Sequence, residues 1–171
     1  MASVALAFGS FGDIVALIQI LVDLSGTLRS GKASTEYHEL VAELGSLQSV
    51  LESIKREILT PPLGTPIFDR SSLNAIGLAV ERCRSLVRDF TDNTRGYGKG
   101  FMVGEPGNNL WDFWWNVNWR LLKKGTIAEL REQLTHQKTA MILILSVSSS
   151  ASLRRIEQQL KQVSITKAVH E

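Results

Sequence analysis

The chain has 171 residues, of which 44% are hydrophobic and 21% charged, and its formal net charge is +2 at pH 7. This length and composition predict one folded domain with a substantial core and exclude a disordered chain. So small a positive charge argues against a nucleic-acid partner, which normally requires a concentrated basic face. The single cysteine, Cys83, excludes an internal disulfide framework and fits a reducing cytosol.

The N-terminal part is predicted to form an apolar helix over about residues 12–29. Its apolar positions recur at helical spacing and are Ile14, Leu17, Ile18, Leu21, Leu24 and Leu28. Such a helix is either central in a bundle or able to enter a membrane, and the core interpretation is favoured. A secretory signal and a membrane span are not favoured, because Arg29 is the first basic residue and Asp13 and Asp23 interrupt the apolar run. We therefore expect a cytoplasmic protein.

Two further helices are predicted from apolar residues that recur in steps of three and four. In the helix over about 34–59 these residues are Tyr37, Leu40, Leu44, Leu47, Leu51, Ile54 and Ile58. After the proline-rich stretch 60–66, another helix begins near Asp69 or Ser71, both good N-caps, with Leu73, Ile76, Val80, Cys83, Val87 and Phe90 inward. Each row of apolar residues forms one seam along its helix, and the two seams are expected to face one common core.

A glycine-rich loop is predicted over about 94–108. The part from Gly96 to Gly100 contains Lys99 and superficially resembles a phosphate-binding loop. A P-loop requires Ser or Thr after its lysine and a strand before its glycines, whereas Gly100 follows here and a helix precedes. A connector between helices is therefore favoured over a nucleotide site.

A short helix over about 109–123 contains all four tryptophans of the chain. Trp111, Trp115 and Trp119 are spaced four apart and share one face, and Lys123 and Lys124 follow them. Aromatic residues beside cations are typical of a helix that lies at a membrane interface. The alternative is a short helix that fills the bundle with large side chains, and this alternative is favoured.

Long helices are predicted over about 126–165, starting at a capping box formed by Thr126 and Glu129. Ile127, Leu130, Leu134, Met141 and Ile144 are expected to point inward. Leu153, Ile156, Leu160 and Val163 follow at the same spacing but in a shifted register. The serine cluster 146–152 lies at the shift, where a bend or break is expected. The sequence thus predicts an all-α fold, a single-domain bundle of about five to six helices over residues 1–171.

No catalytic, cofactor-binding or metal-binding residue is predicted. Cys83 lies on a helix seam and is expected to be a small core residue. His38, His136 and His170 are scattered, no serine lies in a Gly-x-Ser-x-Gly motif, and no histidine has an evident orienting acid. We therefore expect a protein that is not an enzyme and has no small-molecule substrate, although an unrecognised helical enzyme stays as a remote alternative.

Several segments resemble a known group of fungal domains. These are Phe8 to Ile14, Ala33 to Tyr37 leading into Leu40–Leu51, and Trp119–Lys124 through Met141–Leu145. They resemble the N-terminal helical domain of fungal proteins of the STAND (NLR-like) type, and are similar to the HeLo and HeLo-like domains of fungal programmed cell death. The resemblance implies a multi-helix bundle whose first, apolar helix can target membranes after activation by oligomerisation. It supplies no catalytic residues.

Two functions follow as expectations. The first is a non-enzymatic N-terminal signalling or interaction module of an NLR-like protein, which self-associates or binds a protein partner. The second is a HeLo-like effector that relocates to a membrane lipid surface on activation. The residues expected to bind a membrane or partner are Ile14, Leu17, Ile18, Leu21, Leu24, Trp111, Trp115, Trp119, Lys123 and Lys124.

Overall fold

The computed structural model describes residues 2–30, 35–61, 66–96 and 124–169. These residues form four helices and no strand: α1 (Ala2–Ser30), α2 (Thr35–Leu59), α3 (Arg70–Gly96) and α4 (Lys124–Val169). The all-α prediction is therefore confirmed, but the described residues contain four helices rather than the predicted five to six. The helix predicted over about 109–123 and most of the predicted loop, 97–108, lie outside the described residues.

The four helices pack as the corners of a square. Helix α1 contacts α2 and α3, and α4 contacts the same two helices, whereas α1 and α4 lie on one diagonal and α2 and α3 on the other. Each helix therefore buries one stripe of apolar side chains against two neighbours, which is the arrangement of a four-helix bundle. The connection from α2 to α3 thus joins helices that are not neighbours.

Hydrogen bonds between side chains set the helix directions. Three pairs between α2 and α4 have the same separation of 92 residues, so these two helices run parallel and in register. The Ser148 hydroxyl of α4 donates to the Ser72 hydroxyl near the start of α3, at 3.3 Å. The same separation of 92 residues between α2 and α4 places Ser148 level with Arg56, close to the end of α2. Helix α3 therefore begins where α2 ends and runs antiparallel to both α2 and α4.

The core lies along the axis of this bundle and contains the predicted seams. On α2 the fully buried residues are Leu40, Leu44, Leu47, Leu51 and Ile54, and on α3 they include Ile76, Val80, Cys83 and Val87. Ile127, Leu130, Leu134 and Met141 of α4 complete the same cluster. Tyr37, Ile58, Leu73 and Ile144 are partly buried against it, so the two complete seams and the first part of the third are confirmed.

Helix α3 begins with the N-cap that the sequence predicts. The backbone N–H of Ser72 donates to Asp69 Oδ1 at 2.7 Å, and the N–H of Leu73 donates to the Asp69 carbonyl at 3.0 Å. The hydrogen bonds from the Ser72 backbone and side chain stabilise the carboxylate and lower the pKa of Asp69. One residue before the cap, Phe68 is buried in the core and anchors the entry to the helix.

Two predicted boundaries are wrong. Helix α1 begins at Ala2 and not near Gly12. Gly9 and Gly12 therefore lie inside the helix and do not mark its start. Helix α4 is continuous from Lys124 to Val169, so it begins before the predicted cap Thr126 and does not break at the serine cluster. Ser148 and Ser152 are buried on the same face as Met141 and thus continue the core stripe with small polar side chains.

Candidate interaction surfaces

The structure places the predicted site residues of α1 in the core. Ile14, Leu17 and Leu21 are fully buried, and Ile18 and Leu24 are nearly so. This position agrees with the core interpretation of the helix. In this conformation these five side chains are covered by α2 and α3 and offer no surface to a membrane or partner.

The outer face of α1 carries both apolar and polar side chains, since the exposed Gln19 donates a hydrogen bond to Asp23 there at 2.9 Å. Val15, Ile20 and Val22 are exposed and lie away from the core. Asp13 is a charged residue on α1, and its carboxylate accepts a hydrogen bond from Arg84 Nη1 of α3 at 2.9 Å. Helix α1 therefore has three exposed apolar side chains beside a polar pair, and it is fixed to α3 by a charged pair.

The predicted tryptophan surface cannot be located in the described part of the chain. Trp111, Trp115, Trp119 and Lys123 lie outside the described residues. Lys124 is the first residue of α4, so it opens the helix that forms the fourth corner of the bundle.

A row of polar side chains joins α2 and α4 along the outside of the core. Glu43 of α2 accepts hydrogen bonds from Thr135 Oγ1 at 2.9 Å and from Lys138 Nζ at 2.8 Å. Glu39 pairs with Arg131 one turn earlier. The side chains of Glu43 and Lys138 are only 15% and 14% exposed, so this pair is largely removed from water. It fixes the parallel register of the two helices.

Replacing Lys138 with methionine is expected to lower the free energy of unfolding by about 2 kcal/mol, because a largely buried carboxylate on Glu43 loses its cation. The matched control is Lys55→Met, which removes a more exposed pair with Glu52 within one helix and should cost less than about 0.5 kcal/mol. The double variant Glu43→Gln/Lys138→Met should recover most of the loss. Urea unfolding measures all three, and equal effects of the two lysine replacements would contradict the assignment.

Cys83 has the environment of a core residue. Its side chain is fully buried on α3, and burial raises the pKa of the thiol to about 12. At neutral pH the thiol is therefore protonated and poorly nucleophilic.

We expect the folded chain to resist alkylation of Cys83 by iodoacetamide at pH 8. Labelling should be slower than in denaturant by about a thousandfold or more, since it requires opening of the bundle. Because folding favours the protonated thiol, stability should also fall as the pH rises from 9 towards 12. Mass spectrometry of the labelled chain checks the first result. Equal labelling rates in buffer and in denaturant would show that the thiol is accessible.

The C-terminal part of α4 extends beyond the other helices. In the α2–α4 register Leu59, the last residue of α2, lies level with Ala151, so residues 152–169 continue for about 27 Å past that end. Leu153 and Leu160 are 62% and 65% exposed, and Ile156 between them is half-buried. The apolar spacing noted in the sequence thus falls on a helix, but Leu153 and Leu160 lie outside the core. We call Leu153, Ile156 and Leu160 the α4 stripe.

The α4 stripe lies on the side of α4 that packs against α2 in the earlier part of the helix, before residue 152. Leu153 follows Thr135, and Ile156 follows Lys138, by 18 residues, or about five turns at 3.6 residues per turn. Thr135 and Lys138 are the residues that contact Glu43 of α2. The α4 stripe is therefore the continuation of a helix-packing face at a level where α2 has ended.

Within the described ranges there is no group of three or more His, Cys, Asp or Glu side chains that could hold a metal ion. In the same part of the chain, no helix combines the length and the apolar character that crossing a membrane requires.

No protein-family model, no curated protein and no solved structure matches this chain.

Proposed function

We propose that this chain is a non-enzymatic signalling or interaction module that acts by self-association or by binding a protein partner through its helices. The observation that carries the proposal is the α4 stripe, where apolar side chains at helix-packing spacing are exposed beyond the end of the bundle. Exposed apolar side chains that form a row, rather than scattered singly, mark interaction sites. The resemblance to the N-terminal domain of fungal NLR-like proteins agrees with such a role, in the cytoplasm.

The test is association of the whole chain with itself in solution. Copies fused to two different fluorescent proteins are mixed at about 10 μM, a concentration at which small interfaces associate. Energy transfer is expected, and excess unfused chain should abolish it. Absence of transfer would contradict self-association and leave binding of a different protein as the only form of the proposal to pursue.

A second function, a membrane-directed effector of the HeLo-like kind, is supported by the outer face of α1. Val15 and Val22 are exposed one above the other on this face, while the inner face is already apolar. If α1 left the bundle on activation, both faces would be available to lipid.

Dye leakage from anionic liposomes tests this second function. The double variant Val15→Asp/Val22→Asp changes exposed positions, so the bundle should keep its helicity while insertion of α1 is opposed by two charges. The variant Leu17→Asp/Leu21→Asp changes the inner face and serves as a comparison that also requires a circular-dichroism check. If the wild-type chain neither binds nor permeabilises liposomes, as a monomer or as a forced oligomer, the effector function is excluded.

A further inference from the structure

The side of α4 that points away from the bundle carries exposed apolar residues. Leu143 follows the buried Leu134 by nine residues, or two and a half turns, so it lies on the side of the helix opposite the core. Leu143 and Val147 are 60% and 69% exposed, and residues 139–153 contain no Asp, Glu, Lys or Arg. Residues placed before and after them in steps of three and four lie on the same side. We call this the outer row, and the residues that define it are Glu129, Glu132, Leu143, Val147, Arg154 and Lys161.

Charge is distributed unevenly along the outer row. Its first part carries the exposed acids Glu129 and Glu132, and its last part carries the exposed bases Arg154 and Lys161. The row is therefore acidic, then apolar, then basic along the chain. A second copy that ran parallel would bring acids against acids and bases against bases. A copy that runs in the opposite direction instead meets a complementary surface.

One antiparallel register matches both the apolar and the charged parts. With Leu143 level with Val147 of the second copy, the apolar side chains of the two rows meet at the centre. Glu129 lies 14 residues before Leu143 and Lys161 lies 14 residues after Val147, so each Glu129 is level with a Lys161 of the other copy. Arg154 is then level with position 136 of the other copy, and Glu132 one turn earlier supplies the opposite charge for it.

The packing of the bundle leaves room for this second copy. Helices α2 and α3 pack on the core side of α4, and α1 lies diagonally behind it, so the outer row faces away from all three. The other helices of the second copy lie on its own far side for the same reason. In the register above, the projecting residues 152–166 of each chain lie level with residues 124–138 of the other. The part of α4 that extends beyond the bundle would thus be covered by the other chain.

From these observations we infer that the outer row of α4 is the contact surface of an antiparallel homodimer, with Leu143 against Val147 at its centre and Glu129 against Lys161 at its two ends. The α4 stripe lies on a different side of the helix and outside this contact. This inference rests on the proposed function, because it names the surface and the partner for its self-association.

The test is the mass of the full chain measured by light scattering after size exclusion, over roughly 5 to 300 μM because a contact between single helices is weak. The wild-type chain should approach twice 18.9 kDa as its concentration rises. The variant Leu143→Gln/Val147→Gln should weaken dimerisation by at least about 20-fold. Its helicity at the lowest concentration should match the wild type, since both side chains are exposed. Leu160→Gln and Leu78→Gln change exposed leucines elsewhere and should dimerise as the wild type does.

Charge reversal tests the direction of the two chains, at about 50 mM salt so that screening is weak. Glu129→Lys sets a lysine against Lys161 at both ends of the dimer, and Lys161→Glu sets a glutamate against Glu129. Each single variant should weaken dimerisation by about tenfold. The double variant Glu129→Lys/Lys161→Glu keeps any local effect of the two changes on the helix but restores the attraction between chains, so it should dimerise nearly as the wild type does.

Three results would overturn this dimer, and they leave the proposed function in different positions. A dimer that survives Leu143→Gln/Val147→Gln would show that self-association uses another surface. Equal dimerisation by the wild type and both single charge variants would rule out the antiparallel register. A wild-type chain that is monomeric throughout would exclude the second copy as partner and leave binding of a different protein, or of lipid if that monomer sediments with anionic liposomes.

Discussion

Replacing Ser146 with proline should lower the free energy of unfolding by about 3 kcal/mol or more. Ser146 is exposed and lies inside α4, level with Ile54 in the last third of α2, where α4 still packs in the bundle. Proline there removes one backbone hydrogen bond, and its ring clashes with the carbonyl of Ile142, while the lost hydroxyl costs little. Urea unfolding followed by circular dichroism measures the difference.

Two variants separate this effect from a general sensitivity of the helix. Ser146→Ala keeps the backbone donor and should leave stability unchanged or slightly raised, because alanine favours helices. Ser164→Pro interrupts α4 beyond the bundle, where the core does not depend on it, and should change bundle unfolding little. A Ser146→Pro chain as stable as the wild type would show that α4 is already broken at the serine cluster.

Replacing Leu17 with alanine should lower the free energy of unfolding by about 3 kcal/mol, which is within the range for truncating a fully buried leucine. Leu17 is enclosed by the other helices of the core, so its truncation removes apolar burial and leaves a cavity. The comparison is Val15→Ala on the same helix, where the side chain is 43% exposed and the loss should stay below about 1 kcal/mol. If Leu17→Ala and Val15→Ala unfold at the same urea concentration, α1 is not held in the core as described.

The packing seams could be predicted because they depend on local periodicity alone. Leu44, Leu47 and Leu51 repeat at a spacing that only a helix brings to one face, and this face must be buried whatever its neighbours are. The N-cap at Asp69 is equally local, since a carboxylate three residues before a free N–H is sufficient.

The errors arise where local pattern is insufficient. Burial of Leu153 and Leu160 depends on where α2 ends, which is a property of another segment of the chain. The sequence predicts a bend or break at the serine cluster because the register of the apolar residues shifts there. Ser148 and Ser152 instead occupy core positions, and Ser148 contacts Ser72 of α3, so small side chains allow the two helices to approach without interrupting either.

The candidate site was missed for the same reason. Its residues were recognised as an apolar seam, but a seam that packs inside the chain and a seam that packs outside it have the same spacing. The one sequence signal that could distinguish them is length, since α4 exceeds α2 by many residues. That comparison requires both helix boundaries to be known.

The uneven support of α4 has a consequence for its local stability. Up to Ser152 the helix rests on the core, whereas the following residues rely mainly on their own backbone hydrogen bonds, and a helix of that length is marginal in water by itself. Amide exchange should therefore be slow at Leu134 and Met141 and fast after Leu160, within one unbroken element. Anything that covers the far half would slow exchange there, so ordering and binding would be thermodynamically linked.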